Sequence, residues 1–109
     1  MLRTVVMVGI LAGTTASAWA QDARAAAEKI YADQKCGVCH SIAGKGNQKG
    51  ALDDVGSRLT AEEIRMWLVD AKAMTAKTKA ERKPPMRNYS LPKDQLDTLV
   101  GYLASLKKK

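Results

Sequence analysis

Cys36-Gly37-Val38-Cys39-His40 holds both cysteines and the only histidine of this 109-residue chain. The spacing is C-x-x-C-H, at which two thiols form thioethers with the vinyl groups of a haem and the adjoining imidazole reaches its iron. A disulfide, a dithiol redox centre and a zinc clip draw on the same residue types. The flanking sequence decides among them.

Upstream, the first twenty residues read as a targeting segment. Arg3 gives a positive start, Val5 to Leu11 form a short apolar run, and Ala18-Trp19-Ala20 has the small-residue pattern that precedes cleavage, here before Gln21. An uncleaved membrane anchor is the alternative. The apolar run falls short of the roughly 20 residues that span a bilayer, and Gly9, Gly13, Thr14 and Thr15 weaken it further. The expectation is a cleaved secretory signal over 1–20 and a single domain over 21–109, delivered to the periplasm with no stable membrane insertion after cleavage. Loss of Arg3, the one charged side chain in 1–20, lowers the formal charge from +7 to +6. A domain of this size buries only about 60–65% of its unfolded surface. A covalently held, mostly apolar macrocycle would supply the core that the chain lacks.

Export leaves a disulfide or a thioredoxin-like pair open as readings of Cys36 and Cys39, since thiols oxidise readily outside the cytosol. A thioredoxin site needs a strand before the motif and a sheet around it. Asp22 to Lys35 is instead alanine-rich and helical, with no alternating pattern nearby. A structural zinc site wants four ligands, and two cysteines with one histidine supply three. Haem is the reading that remains.

In the mature chain, Asp22 is the expected N-cap of a first helix. Ala23, Ala26, Ala27, Ile30 and Tyr31 recur on one face, small enough to let another helix approach closely. Ser41 to Leu59, punctuated by Gly44, Gly46, Gly50 and Gly56, has no sustained period and reads as a loop. Its task would be to wrap one edge of the haem and lend a backbone carbonyl to Nδ1–H of His40, so that Nε2 faces iron. Nothing in the sequence names that carbonyl.

Thr60-Ala61-Glu62-Glu63 is a capping box that opens a second helix, with Ile64, Trp67, Leu68 and Ala71 as its apolar stripe and Met66 off to one side. Trp67 is either a core anchor or an N–H donor to a haem propionate. From Lys72 to Arg87 the chain turns basic, with Lys72, Lys77, Lys79, Arg82, Lys83 and Arg87 against Glu81 alone. That run leads into Pro84-Pro85-Met86, where two prolines stiffen the backbone ahead of a thioether, a soft ligand for a metal. With no second histidine, the sixth iron position falls to Met86, another methionine, a lysine, water or nothing. Met74 is the main competitor, in a segment without stiffening prolines. A last helix starts near Pro92 and carries Leu96, Leu99, Val100, Leu103 and Leu106 on one face, with Tyr102 beside it and Lys107 to Lys109 at its C-terminal end. Packing on the small-residue face of the first helix is its simplest use.

C-x-x-C-H near the mature start, a glycine-rich loop, a capped tryptophan-bearing helix, a proline-flanked methionine and a final L-x-x-L-V-x-Y-L-x-x-L helix together resemble a small class I bacterial cytochrome c. The likeness runs through residues 22–106 in order. It implies an all-α cytochrome c fold, about three to four helices and a glycine-rich loop around one covalent haem c. It also implies thioethers at Cys36 and Cys39, iron ligation by His40 and Met86, and a crossing of first and last helices at Ala27 and Tyr31 against Leu99 and Tyr102. Members commonly carry a proline in the loop after the motif, expected here at Ala51 within Gly50-Ala51-Leu52.

Neutral histidine and thioether ligation favours ferrous iron, and a closed site passes electrons without making bonds. The expected function is a monomeric periplasmic carrier of single electrons, not an enzyme. Its charge would steer it to acidic faces of redox proteins such as oxidases or dehydrogenases, and Lys77, Lys79 and Arg82 would form a docking rim. Nucleic acid is an unsuitable partner, because the aromatics of a stacking surface are missing. The competing function is a ligand-binding or sensing haem protein with an open sixth position. Cytochrome c-prime-like bundles place C-x-x-C-H near the C-terminus, however, and a peroxidase needs a second acid–base group.

Overall fold

Alanine sets the first helix. In the computed structural model, which describes residue 9 and residues 15–109, with side chains from residue 21 onward, α1 spans Thr15–Asp33. Residues 1–8 and 10–14 of the expected signal lie outside the described residues. Asp22 is not an N-cap but sits inside α1. Ala16, Ala18 and Ala20 are strong helix formers, and nothing between Thr15 and Asp22 interrupts them. The helix ends where Gln34 N–H donates to the Ile30 carbonyl at 2.9 Å and Lys35 turns left-handed at φ 57°.

Five α-helices occur among the described residues, against three to four expected. Beyond α1 they are α2 (Val55–Arg58), α3 (Ala61–Val69), α4 (Ala71–Thr78) and α5 (Lys93–Ser105). The expected Ser41–Leu59 loop holds more order than its glycines imply. It contains a two-residue hairpin, β1 (Ser41–Ile42) antiparallel to β2 (Lys45–Gly46), then a 3-10 turn over Gln48–Gly50, then α2. Thr60 opens α3 as the sequence requires: its Oγ1 accepts from Glu63 N–H, and the Glu63 carboxylate accepts from Thr60 N–H, both at 3.1 Å. The single helix expected from Thr60 through the Ala71 region is two helices. Asp70 leaves helical dihedrals at φ −144°, ψ 63°, closes α3, and with its own Oδ1 caps Ala73 N–H at 3.2 Å to start α4.

The core forms where α1 and α3 pack on α5. Ala27 of α1 is fully buried, with Ile30 and Tyr31 half-buried beside it. Ala23 and Ala26 are exposed, because the crossing covers only the part of the stripe nearest α5. Val55, Ile64, Leu68, Leu99, Val100 and Leu103 make one hydrophobic cluster, edged by Leu96, Tyr102 and Leu106. Leu99 is 1% exposed, and burying a leucine this far is worth about 1.5–3 kcal/mol.

Past Ser105 the chain leaves the helix and is tied to α2. Gly56 N–H donates to the Leu106 carbonyl at 2.8 Å, Lys107 Nζ to the Gly56 carbonyl at 2.7 Å, and Lys108 N–H to Ser57 Oγ at 2.7 Å. A Cβ at residue 56 would strike the Ala104 carbonyl, so this approach requires glycine. The lysines expected to serve the helix C-terminus are thus partly spent on α2.

Candidate functional site

The turn after α1 is a 3-10 turn over Cys36–Val38, and Cys39 N–H and His40 N–H both donate to the Cys36 carbonyl, at 3.1 and 2.9 Å. In a 3-10 turn, side chains three residues apart eclipse one another. Cys36 and Cys39 therefore stack on one side of the turn, more nearly in line than an α-turn would place them. Neither is in a disulfide, Cys36 is buried and Cys39 half-buried. Burial pushes the Cys36 thiol up, against the opposing pull of its own backbone and of Arg87. A redox dithiol is activated by a depressed thiol, so the environment of Cys36 argues against that reading.

His40 follows, half-buried, and its Nδ1–H donates to the Gly50 carbonyl at 2.9 Å. This is the loop carbonyl that the chemistry demanded and the sequence left unnamed. It comes from Gly50, one residue before the expected proline position at Ala51. Burial holds the imidazole below its ordinary value; the Gly50 bond opposes this, while Arg82 and Arg58 push the same way as burial. The ring is kept neutral, with Nε2 left over for a metal.

The loop that carries Gly50 is fixed by residues that sequence reasoning passed over. Asn47 N–H donates to both the Gly37 and His40 carbonyls, at 3.1 and 2.9 Å, and its side-chain amide donates to the Val38 carbonyl at 3.3 Å. Asn47 thereby gathers three carbonyls of the cysteine turn. Gly46, at φ 105°, allows the approach, since a Cβ there would strike the His40 carbonyl. A lone asparagine before a turn gives no sequence signal for such a task.

Met86 lies in the extended strap between α4 and α5, half-buried and packed against the hydrophobic cluster. The strap is pinned on the far side of Met86. Lys72 N–H donates to Asn88 Oδ1 at 3.0 Å, Tyr89 N–H to the Leu68 carbonyl at 2.8 Å, and the Arg87 guanidinium lies 4.9 Å from the Tyr89 ring centroid. Met74, the competitor, is buried within α4. Trp67 is half-buried on α3, and its indole N–H makes no hydrogen bond among the described residues. Tyr31 packs toward Gly37 of the cysteine turn. Its hydroxyl is buried with no hydrogen-bond partner among the described residues, and burial, with Cys36, Tyr102 and Asp53 nearby, pushes it up to about 12.

Among protein families, the one described as Cytochrome c matches residues 24–107. The chain belongs to the cytochrome c family. No curated protein and no solved structure matched. Members of the family bind haem c covalently, typically one per domain, and the all-α architecture agrees with that fold. The residues of this cytochrome fit the group. Two unbridged thiols share one side of a turn, one imidazole has Nδ1 engaged and Nε2 without a hydrogen bond among the described residues, and a thioether borders the core. The family assigns the chain a haem-binding, electron-transfer role. No helix among the described residues is long and apolar enough to cross a membrane.

Proposed function

We propose that this cytochrome is a periplasmic monohaem carrier of single electrons, with Cys36 and Cys39 as thioether anchors and His40 and Met86 as the axial ligands. The reading rests above all on the 2.9 Å hydrogen bond from His40 Nδ1 to the Gly50 carbonyl, which selects the tautomer a metal takes. When bound, haem c supplies a one-electron couple whose potential neutral histidine and thioether ligands raise. The chain's part is to hold geometry constant through the redox change. Gly50 fixes the imidazole, Asn47 fixes the cysteine turn, and the pinned strap holds Met86 against the core. Trp67 is offered as a donor to a propionate. With the only histidine engaged as a ligand, no second imidazole remains for acid–base chemistry, which supports a carrier over an enzyme.

Residues 1–20 act, in this proposal, as a signal removed before Gln21, which leaves 21–109 as the exported domain. The exposed cations of Lys72 to Arg87 flank the strap and suit acidic faces of redox partners such as oxidases or dehydrogenases. The purified oxidised protein is expected to show the long-wavelength thioether–iron charge-transfer band. Met86→Ala should abolish the band and admit carbon monoxide to the reduced protein, while Met74→Leu should keep it. Rapid carbon monoxide binding by the unsubstituted protein would sink the carrier reading.

A further inference from the structure

Gly50 is a meeting point. A Cβ built on it would strike both Arg82 Nη1 and the Cys39 carbonyl, and would lie 2.9 Å from His40 Nδ1. A guanidinium, a carbonyl of the cysteine turn and the imidazole therefore converge on one α-carbon, and the carbonyl of that same residue receives the imidazole proton. The guanidinium comes from the strap, four residues ahead of Met86.

Two arginines reach the loop that carries the Gly50 carbonyl, Arg82 at Gly50 and Arg58 at the Ala51 carbonyl, and they differ in how far they are neutralised. Arg58 is spoken for: its Nε lies 2.9 Å from Asp54 Oδ1, and its Nη2 donates to the Ala51 carbonyl at 3.3 Å. Arg82 makes no ion pair and no hydrogen bond among the described residues. Glu81, beside it in sequence, does not engage it. An uncompensated charge next to a ligand is felt by the metal that the ligand holds. Oxidised iron carries one more positive charge than reduced iron, so a cation laid beside its ligand disfavours oxidation, most strongly at low ionic strength because Arg82 is exposed.

We infer that Arg82 is a positioning and tuning residue of the haem site: laid against Gly50, it acts through His40 to hold the iron toward its reduced state. The inference rests on the proposed ligation by His40. It gives one member of the basic run a task apart from partner docking, because its effect belongs to the isolated carrier.

The test is a spectroelectrochemical titration of purified holoprotein at low ionic strength, comparing wild type with Arg82→Gln, Arg82→Lys and Arg82→Glu. Arg82→Gln is expected to lower the equilibrium constant for reduction by a reference couple about three- to tenfold; a tenfold change is about 59 mV for one electron. Arg82→Glu should go further in the same direction, and Arg82→Lys should recover most of the wild-type value. The thioether–iron band should persist in all four proteins. Unchanged potentials in Arg82→Gln and Arg82→Glu would overturn the inference, and so would equal shifts in all three variants, which would reduce Arg82 to packing. A wild-type protein without the band fails at the ligation proposal instead.

Discussion

At residue 50 the absence of a side chain matters more than any nearby side chain. Gly50→Ala forces a methyl into the Cys39 carbonyl, which is backbone and cannot swing away, and is expected to destabilise the holoprotein by about 1–3 kcal/mol. The next position should behave oppositely. Ala51 already has φ −59°, its N–H makes no hydrogen bond among the described residues, and Ala51→Pro should stabilise by about 0.4–1 kcal/mol. Urea midpoints of the two variants check the pair, and a loss of stability in Ala51→Pro would contradict the second expectation. The contrast shows what could be read from the residues alone. Cys36, Cys39 and His40 are legible because their spacing is itself the chemistry. Gly50 and Asn47 are not, because a backbone carbonyl or amide is available at every residue and only the folded path decides which one arrives. Arg82 was legible as a charge in a basic run, but not as a neighbour of His40, which lies far from it in the chain.

The start of α3 was easier to read than the break that follows it. The Thr60–Glu63 capping box stands in the sequence as it does in space, and Thr60→Ala should cost about 1 kcal/mol, measurable in chemical unfolding of the holoprotein. Asp70 went unread because one aspartate serves two helices, and neither duty disturbs the apolar spacing from Leu68 to Ala71. The same difficulty hid α4, whose lysines and alanines look like surface chain until Asp70 caps them. Between helices, Asp97 of α5 binds Lys93 at 2.6 Å and Arg65 of α3 at 2.7 Å. Lys93 first and then Arg65 hold its carboxyl below the usual carboxylate range. A depressed acid contributes stability above its unfolded pKa and loses that contribution as pH falls through the folded value. Asp97→Asn should therefore be less stable than wild type near neutrality, and the gap should close as the pH falls through the depressed folded pKa of Asp97. Because the pair is exposed, the gap should also shrink in high salt. A gap that widens in acid would assign Asp97 some other task.

For the whole molecule, a formal charge of +7 is distributed unevenly, with the cations of Lys72 to Arg87 gathered around the strap that carries Met86. Lys77→Glu with Lys79→Glu, which leaves Arg82 in place, should slow electron transfer to an acidic partner severalfold at low ionic strength, with the difference fading as salt rises. Stopped-flow rates at two salt concentrations read this, and equal rates at low salt would remove the docking role from these lysines. The class of fold was legible at this scale because the attachment motif, the proline-stiffened methionine and the last helix occur in a fixed order. The clasp between α2 and the C-terminal tail was not, since Gly56 shows its purpose only where Leu106 returns to it. The pairing of α1 with α5 also has a consequence in time. The helix that leads into the thiols finds its partner only in α5, which is synthesised after the cysteine turn and the strap, so bonding can precede locking. A chain ending at Leu91 is expected to retain haem on a denaturing gel, because Cys36 to His40 are intact, yet to lack the thioether–iron band, because nothing clamps the strap shut. A full-strength band in that shortened chain would show that closure does not wait for the final helix.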